Sequence, residues 1–390
     1  MTPLRRLASA YALAWATTSM SAGPGSAALV ALTGNIAHAG LYIAVFYLAA
    51  AFGGWSGGRL MDSRGRVATL GGAYWLSAAG FAAAGIGVAT QTLVLFIVGV
   101  FALAAAFGAI NLTRLVAAEL FAPAERGRGI AYVQLAAIAG AIVGPVLLVL
   151  ADPLSRVLGR SPLELVWFLG PPLVIVAAFI VSPVQVTQSV APAAGGAPAA
   201  SARVPLRGNS VLAGTVALAA SQAAMASVMG VAGAATAHAG HGVRTLGGVM
   251  ISHFVGMFAF SRVAGRVADR RGGRATIMIG LLLLAAGGGI VALTAGIVSF
   301  ALGLFVVGVG WSFGTIGSTL LIADAAPPEK RARVMGRAEL VSQLSAAVIA
   351  IMGGWWYARA GDSGLGVVAV IVALLPLVVL GRRRPLTSAA

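Results

Sequence analysis

The side chains able to do chemistry in this chain are few, and several of them are paired. Met225 and Met229 stand four residues apart in MASVM, and His253 and Met257 four apart in HFVGM. On an α-helix that spacing places each pair on one face. Thioether and imidazole are neutral, soft-to-borderline donors that suit Cu(I) and suit Mg²⁺ or Ca²⁺ poorly. His238 and His241, in HAGHG, lie between the two pairs and are candidates for capturing a metal and passing it on. An imidazole with a reference pKa near 6.5 is equally suited to carrying protons, and a histidine also bonds across helices, so His253 has three readings. Glu339 is a second candidate for proton coupling. Paired carboxylates, a zinc-ligand cluster and a nucleophile–base arrangement do not stand out, which leaves an enzyme little support. There is no cysteine, so disulfides and thiolate metal sites are excluded.

The elements that must position these groups are membrane helices. Hydrophobic residues make up 59% of the 390 and charged residues only 9%, against roughly 25% charged in a soluble domain. The apolar residues come in runs of about 20, the length a helix needs to cross a bilayer. Backbone groups in lipid must be satisfied within the segment, so the class is all-α. The patterning predicts twelve spans, near 9–32, 38–58, 68–89, 92–115, 129–150, 163–183, 209–232, 244–265, 275–294, 297–322, 333–357 and 364–381. Arg5 and Arg6 before an apolar stretch resemble a signal peptide, but with so many spans following they read as the start of a first membrane helix. Met225 and His253 fall about 8 and 10 residues from the same end of adjacent, antiparallel spans, depths that agree within a few Å.

The net charge of +16 suggests nucleic acid until the basic residues are placed. With the N-terminus in the cytoplasm, 22 of the 26 Lys and Arg fall on the cytoplasmic side and only Arg156, Arg160, Arg244 and Arg359 outside. That is the positive-inside pattern of a bacterial inner-membrane protein with both termini cytoplasmic, and no nucleic acid is expected as a partner. Residues 184–208 are rich in Ala, Pro, Gly and Ser. They read as a flexible linker between a six-helix half, 1–183, and a second, 209–390.

The halves repeat. GGRLMDSRGRVATL after the second span aligns with AGRVADRRGGRATI after the eighth, placing Asp62 over Asp269, Gly58 over Gly265 and Gly65 over Gly272. AELFAPAERGRG after the fourth aligns with ADAAPPEKRARVMG after the tenth, placing Glu119 over Asp324 and Arg126 over Arg331. Offsets of 207 and 205 residues at two loops imply a duplicated half, as in transporters whose halves are related by an axis along the membrane normal.

With these loops the chain resembles the major facilitator superfamily over essentially its whole length. The family's Gly-x-Leu-Ala-Asp-Arg-x-Gly-Arg signature corresponds to Gly58, Leu60, Asp62, Gly65 and Arg66, and its second copy to Gly265, Val267, Asp269, Arg270 and Gly272. The resemblance implies alternating access, with Asp62, Arg66, Arg114, Glu119, Asp269 and Arg270 as a conformational latch. GAIVGP, with Gly140, Gly144 and Pro145, is similar to part of the antiporter signature of drug and proton exchangers. The Met-x-x-x-Met and His-x-x-x-Met pairs resemble those of bacterial copper importers that supply haem-copper oxidase assembly, and they map onto Met225, Met229, His253 and Met257. Two expectations follow. One is a copper importer, with copper as substrate and no resident cofactor. The other is a proton-coupled exporter of drug-like or metabolite compounds, with His253, Glu339 or Arg114 handling protons or gating. Asn111, Gln134, Gln222 and Gln343 are neutral polar candidates within the spans. A monomer in the bilayer is expected in either case. A nucleotide-binding loop of the Gly-x-x-x-x-Gly-Lys-Ser/Thr kind is absent from the sequence, so ATP drive has no support.

Overall fold

The chain is described from a computed structural model over residues 1–35, 38, 41–185, 209–229, 243–294 and 296–381. The described residues are helical, with short connections and no strand. In the first half the membrane helices are α1 (Pro3–Thr33), α2 (Leu41–Arg64), α3 (Arg66–Ala89), α4 (Leu93–Glu119), α5 (Arg126–Leu158) and α6 (Pro162–Val181). In the second they are α7 (Asn209–Met229), α8 (243–271), α9 (273–293), α10 (Ile297–Ala325), α11 (331–360) and α12 (362–381). Among the described residues nine stretches are long and apolar enough to cross a membrane, and Pro24–Thr33 and Ser363–Leu377 are shorter apolar helices. One of the nine, Gly248–Leu293, holds two passages because the chain turns at Gly272. The predicted twelve passages are thus recovered, with α1 starting earlier than the apolar run alone suggests. Thr2 caps its first turn and Pro3 opens it. The linker beyond Gln185, and His238 and His241, lie outside the described residues.

The duplication reaches the backbone angles. Gly65 turns α2 into α3 at φ 93°, ψ 158°, and Gly272 turns α8 into α9 at φ 80°, ψ 166°. Those angles suit a residue without Cβ, which is why both loop copies keep glycine there.

Two helix pairs make most of the contact between the halves, α2 with α11 and α5 with α8. Their contacts obey the same repeat. Gly58 lies against Ala332 and Gly336, and Gly265 against Gly127 and Ala131. A Cβ at Gly265 would fall 2.6 Å from that of Ala131 and 2.8 Å from the Gly127 carbonyl oxygen. Small residues let these helices approach closely in an environment where oil gives no hydrophobic drive to associate. Gly140 and Gly144 do the same within the first half, lying against Ala12, Ala16 and Met20 of α1. The GAIVGP segment therefore packs α5 onto α1. Large apolar side chains such as Val98, Phe179, Leu302 and Leu375 point outward, as a lipid-facing surface requires.

Candidate functional site

The arginine-rich face of the bundle is held shut by carboxylates reaching across the two halves. Asp62 Oδ2 accepts from the backbone N–H of Arg333, in the first turn of α11, at 2.8 Å. Asp269 accepts from the N–H groups of Gly127 and Arg128, in the first turn of α5, at 2.8 and 3.2 Å. A helix N-terminus leaves its first N–H groups unpaired and carries partial positive charge, so a carboxylate is favoured there. Two ion pairs flank these caps. Arg126 Nη1 reaches Asp324 at 2.7 Å, and Arg331 Nη1 reaches Glu119 at 3.5 Å. Each joins the halves, and the loop alignment exchanges one for the other.

The first half has one piece more. Arg66 donates to both oxygens of Glu119, at 3.1 and 3.0 Å, and to Asp62 Oδ1 at 2.9 Å. The repeat places Gly273 opposite Arg66, so no side chain stands at that position of the second copy. Arg270, expected with Asp269 in the latch, lines a small surface pocket together with Asp269, Arg266, Arg128 and Glu125.

Deeper in the bundle is a cavity of about 180 Å³. Trp15, Tyr42, Phe46 and Phe107 from the first half and Phe254 and Trp311 from the second form much of its wall. Asn111, Arg114, Gln222, Glu339, Ser342 and Gln343 supply its polar groups. Arg114 and Glu339 form a buried ion pair between α4 and α11. Arg114 also donates from Nε to the Asn111 carbonyl at 3.1 Å, and Tyr11 donates to Asn111 Oδ1 at 3.0 Å. The pair is thus a fixed bridge between the halves inside the cavity. α4 carries Arg114 inward of the latch ion pairs and into this cavity. Of the neutral candidates, Gln134 is placed elsewhere, 3.4 Å from Ser312 Oγ.

Met225, Met229 and Met257 line the same cavity. His253 is fully buried but is not part of the lining. Its Nδ1 lies 2.7 Å from the Leu304 carbonyl oxygen of α10, to which it donates, and its Nε2 is buried without a partner. No group of three or more His, Asp or Glu among the described residues is placed to hold a metal ion.

Comparison with known proteins bears on the fold. A human organic anion transporter, MFSD10, superposes with a TM-score of 0.78 over 97% of this chain and 100% of its own, at 15% identity. A bacterial homologue of the iron transporter ferroportin superposes with a TM-score of 0.74 over 97% and 98%, also at 15%. The fold is the major facilitator fold. Residues 214–390 match the family model described as Major Facilitator Superfamily. The MFS-type transporter YdeG of Bacillus subtilis is 27% identical over 94% of this chain and 89% of its own. YddS of the same organism is 32% identical over 45% of this chain, an alignment that spans 41% of YddS. The riboflavin transporter RfnT of Brucella anthropi is 30% identical over 44% of this chain and 43% of its own. These proteins are named as transporters, not enzymes.

Proposed function

We propose that this protein is a secondary transporter of the major facilitator family that moves small aromatic organic solutes by alternating access, with proton coupling through Glu339. The observation that carries this is the cavity wall: seven aromatic rings, Tyr47 among them, around a buried Arg114–Glu339 pair. Flat apolar surfaces with a few placed polar groups suit a planar organic molecule. The likeness to a riboflavin transporter over part of the chain is in keeping with it.

In the proposed cycle solute enters with the arginine-rich face shut. A proton reaching Glu339 removes the charge that holds Arg114, which loosens the bridge between α4 and α11. The Asp62 and Asp269 caps then release and the halves rock to open the other face. The positive-inside bias assigns the arginine-rich face to the cytoplasm and the membrane to the bacterial inner membrane. The test is proteoliposome transport of an aromatic solute panel under an imposed pH gradient. Glu339→Gln is expected to lose gradient-driven accumulation while keeping solute exchange. Gradient-driven accumulation unchanged in Glu339→Gln removes the coupling role.

A second reading rests on Met225, Met229 and Met257 converging on the cavity. Three thioethers form a soft, neutral set fit for Cu(I) as cargo. Uptake of radioactive copper under reducing conditions tests it, with Met257→Ala and His253→Ala beside the parent. Uptake no greater than in empty-vector cells ends the copper reading.

A further inference from the structure

We propose that the cavity selects an uncharged planar heterocycle carrying an amide or imide edge, and that Gln222 and Gln343 are the residues that read it. This rests on the organic-solute reading above and narrows it to a chemical class.

Trp311 Nε1 donates to Gln222 Oε1 at 2.7 Å. An indole N–H is a donor only, so the Gln222 carboxamide has one allowed orientation and its NH₂ is left to donate. Gln343 is 6% exposed and lines the same cavity, and its Oε1 is buried with no hydrogen-bond partner. A buried acceptor without a partner marks a place where a ligand donor fits. The two side chains line neighbouring turns of the same cavity. Ser342, next to Gln343, lies with its Oγ 3.4 Å from the carbonyl oxygen of Leu218, one turn before Gln222. A protein donor and a protein acceptor lining one cavity are the complement of a ligand acceptor and a ligand donor, the C=O and N–H of a ring amide or imide.

The surroundings set the rest of the class. Trp311 and Phe254 on this side and Trp15 on the other line the cavity with aromatic rings, a wall suited to a flat molecule. Arg114 and Glu339 neutralise one another, so the wall presents no unbalanced charge. A charged solute would have to break that pair to be matched, and a neutral one leaves it intact.

The test uses the full chain in nanodiscs and follows quenching of tryptophan fluorescence. The probes are lumazine and lumichrome, each beside its 1,3-dimethyl derivative, with quinoline as an aromatic lacking the edge. Methylation at both N1 and N3 removes every ring N–H beside a carbonyl and keeps the ring, so the unmodified protein alone decides the outcome. The unmethylated members are expected to bind about tenfold tighter or more, since a site built to hydrogen-bond rejects an analogue lacking the group. Gln343→Leu and Gln222→Leu, monodisperse on gel filtration, are expected to cut that preference to about twofold or less. Equal binding within each pair, or binding of quinoline alone, overturns the edge reading and leaves the organic-solute reading standing. Binding of none of the probes overturns both.

Discussion

Asp62 and Asp269 each cap a helix that belongs to the other half of the protein. Asp62 accepts from the N–H of Arg333 and Asp269 from that of Arg128. The offsets of the two loop repeats, 207 and 205 residues, carry one contact onto the other. The latch is therefore built twice, and it holds the arginine-rich face shut by bonds that cost little to remake elsewhere, because water can take over both partners when the halves part.

Removing the charge at both caps is expected to open that face. A hydrogen bond to a charged group is worth about 1.5–3 kcal/mol, so Asp62→Asn with Asp269→Asn shifts the balance by about tenfold or more. The chain has no cysteine, so a single Ser318→Cys reports directly. Ser318 is fully buried on α10, six residues before Asp324. An impermeant maleimide applied from the arginine-rich face should label it about tenfold faster in the double variant. An unchanged rate would mean the aspartates do not hold the closed state.

The glycine contacts behind the caps predict the same phenotype by a steric route. Gly58→Val would drive a side chain into the Ala332 backbone, and Gly265→Val into Ala131 and Gly127. Overpacking of this kind costs about 1–3 kcal/mol. Both variants should speed labelling at Ser318→Cys. Gly72→Val, at a site where a Cβ meets nothing within 4 Å, should leave the rate unchanged.

The Arg114–Glu339 pair predicts a change in stability. Both side chains are about 4–5% exposed. Removing one partner strands a buried charge, at about 3–5 kcal/mol, whereas replacing both by apolar groups is far milder. Glu339→Leu alone should lower the melting temperature in detergent sharply, and Arg114→Met with Glu339→Leu should recover most of the loss. A double variant no more stable than the single would place the cost in packing and not in charge.

Much of this was legible in the sequence because it is local or repeated. Run length gave the passages, and the duplicated loops marked Asp62, Asp269, Glu119 and Arg331 before any contact was known. The Arg114–Glu339 pair was not legible, since 225 residues separate its members and only the docking of two halves joins them. The cavity aromatics were hidden for another reason. In an apolar span Trp15 looks no different from Trp75, yet one lines the cavity and the other is half exposed on the outer surface. His253 shows the limit of counting along a helix. Depth follows from residue number, but rotation about the axis is set by packing, and packing turned the imidazole toward Leu304.

The last expectation concerns Trp311, whose indole both faces the cavity and holds Gln222. Trp311→Phe keeps an aromatic ring in the wall and removes the N–H that bonds Gln222 Oε1. One neutral hydrogen bond is worth about 0.5–1.5 kcal/mol, so solute affinity should fall by roughly twofold to tenfold while the fold survives. Loss of the indole also frees the carboxamide to turn over, presenting its oxygen where its NH₂ stood. The preference between an N–H heterocycle and its N-methyl analogue should then shrink more than affinity does. If affinity falls and the preference stays, Trp311 contributes ring surface alone and Gln222 is held by something other than the indole.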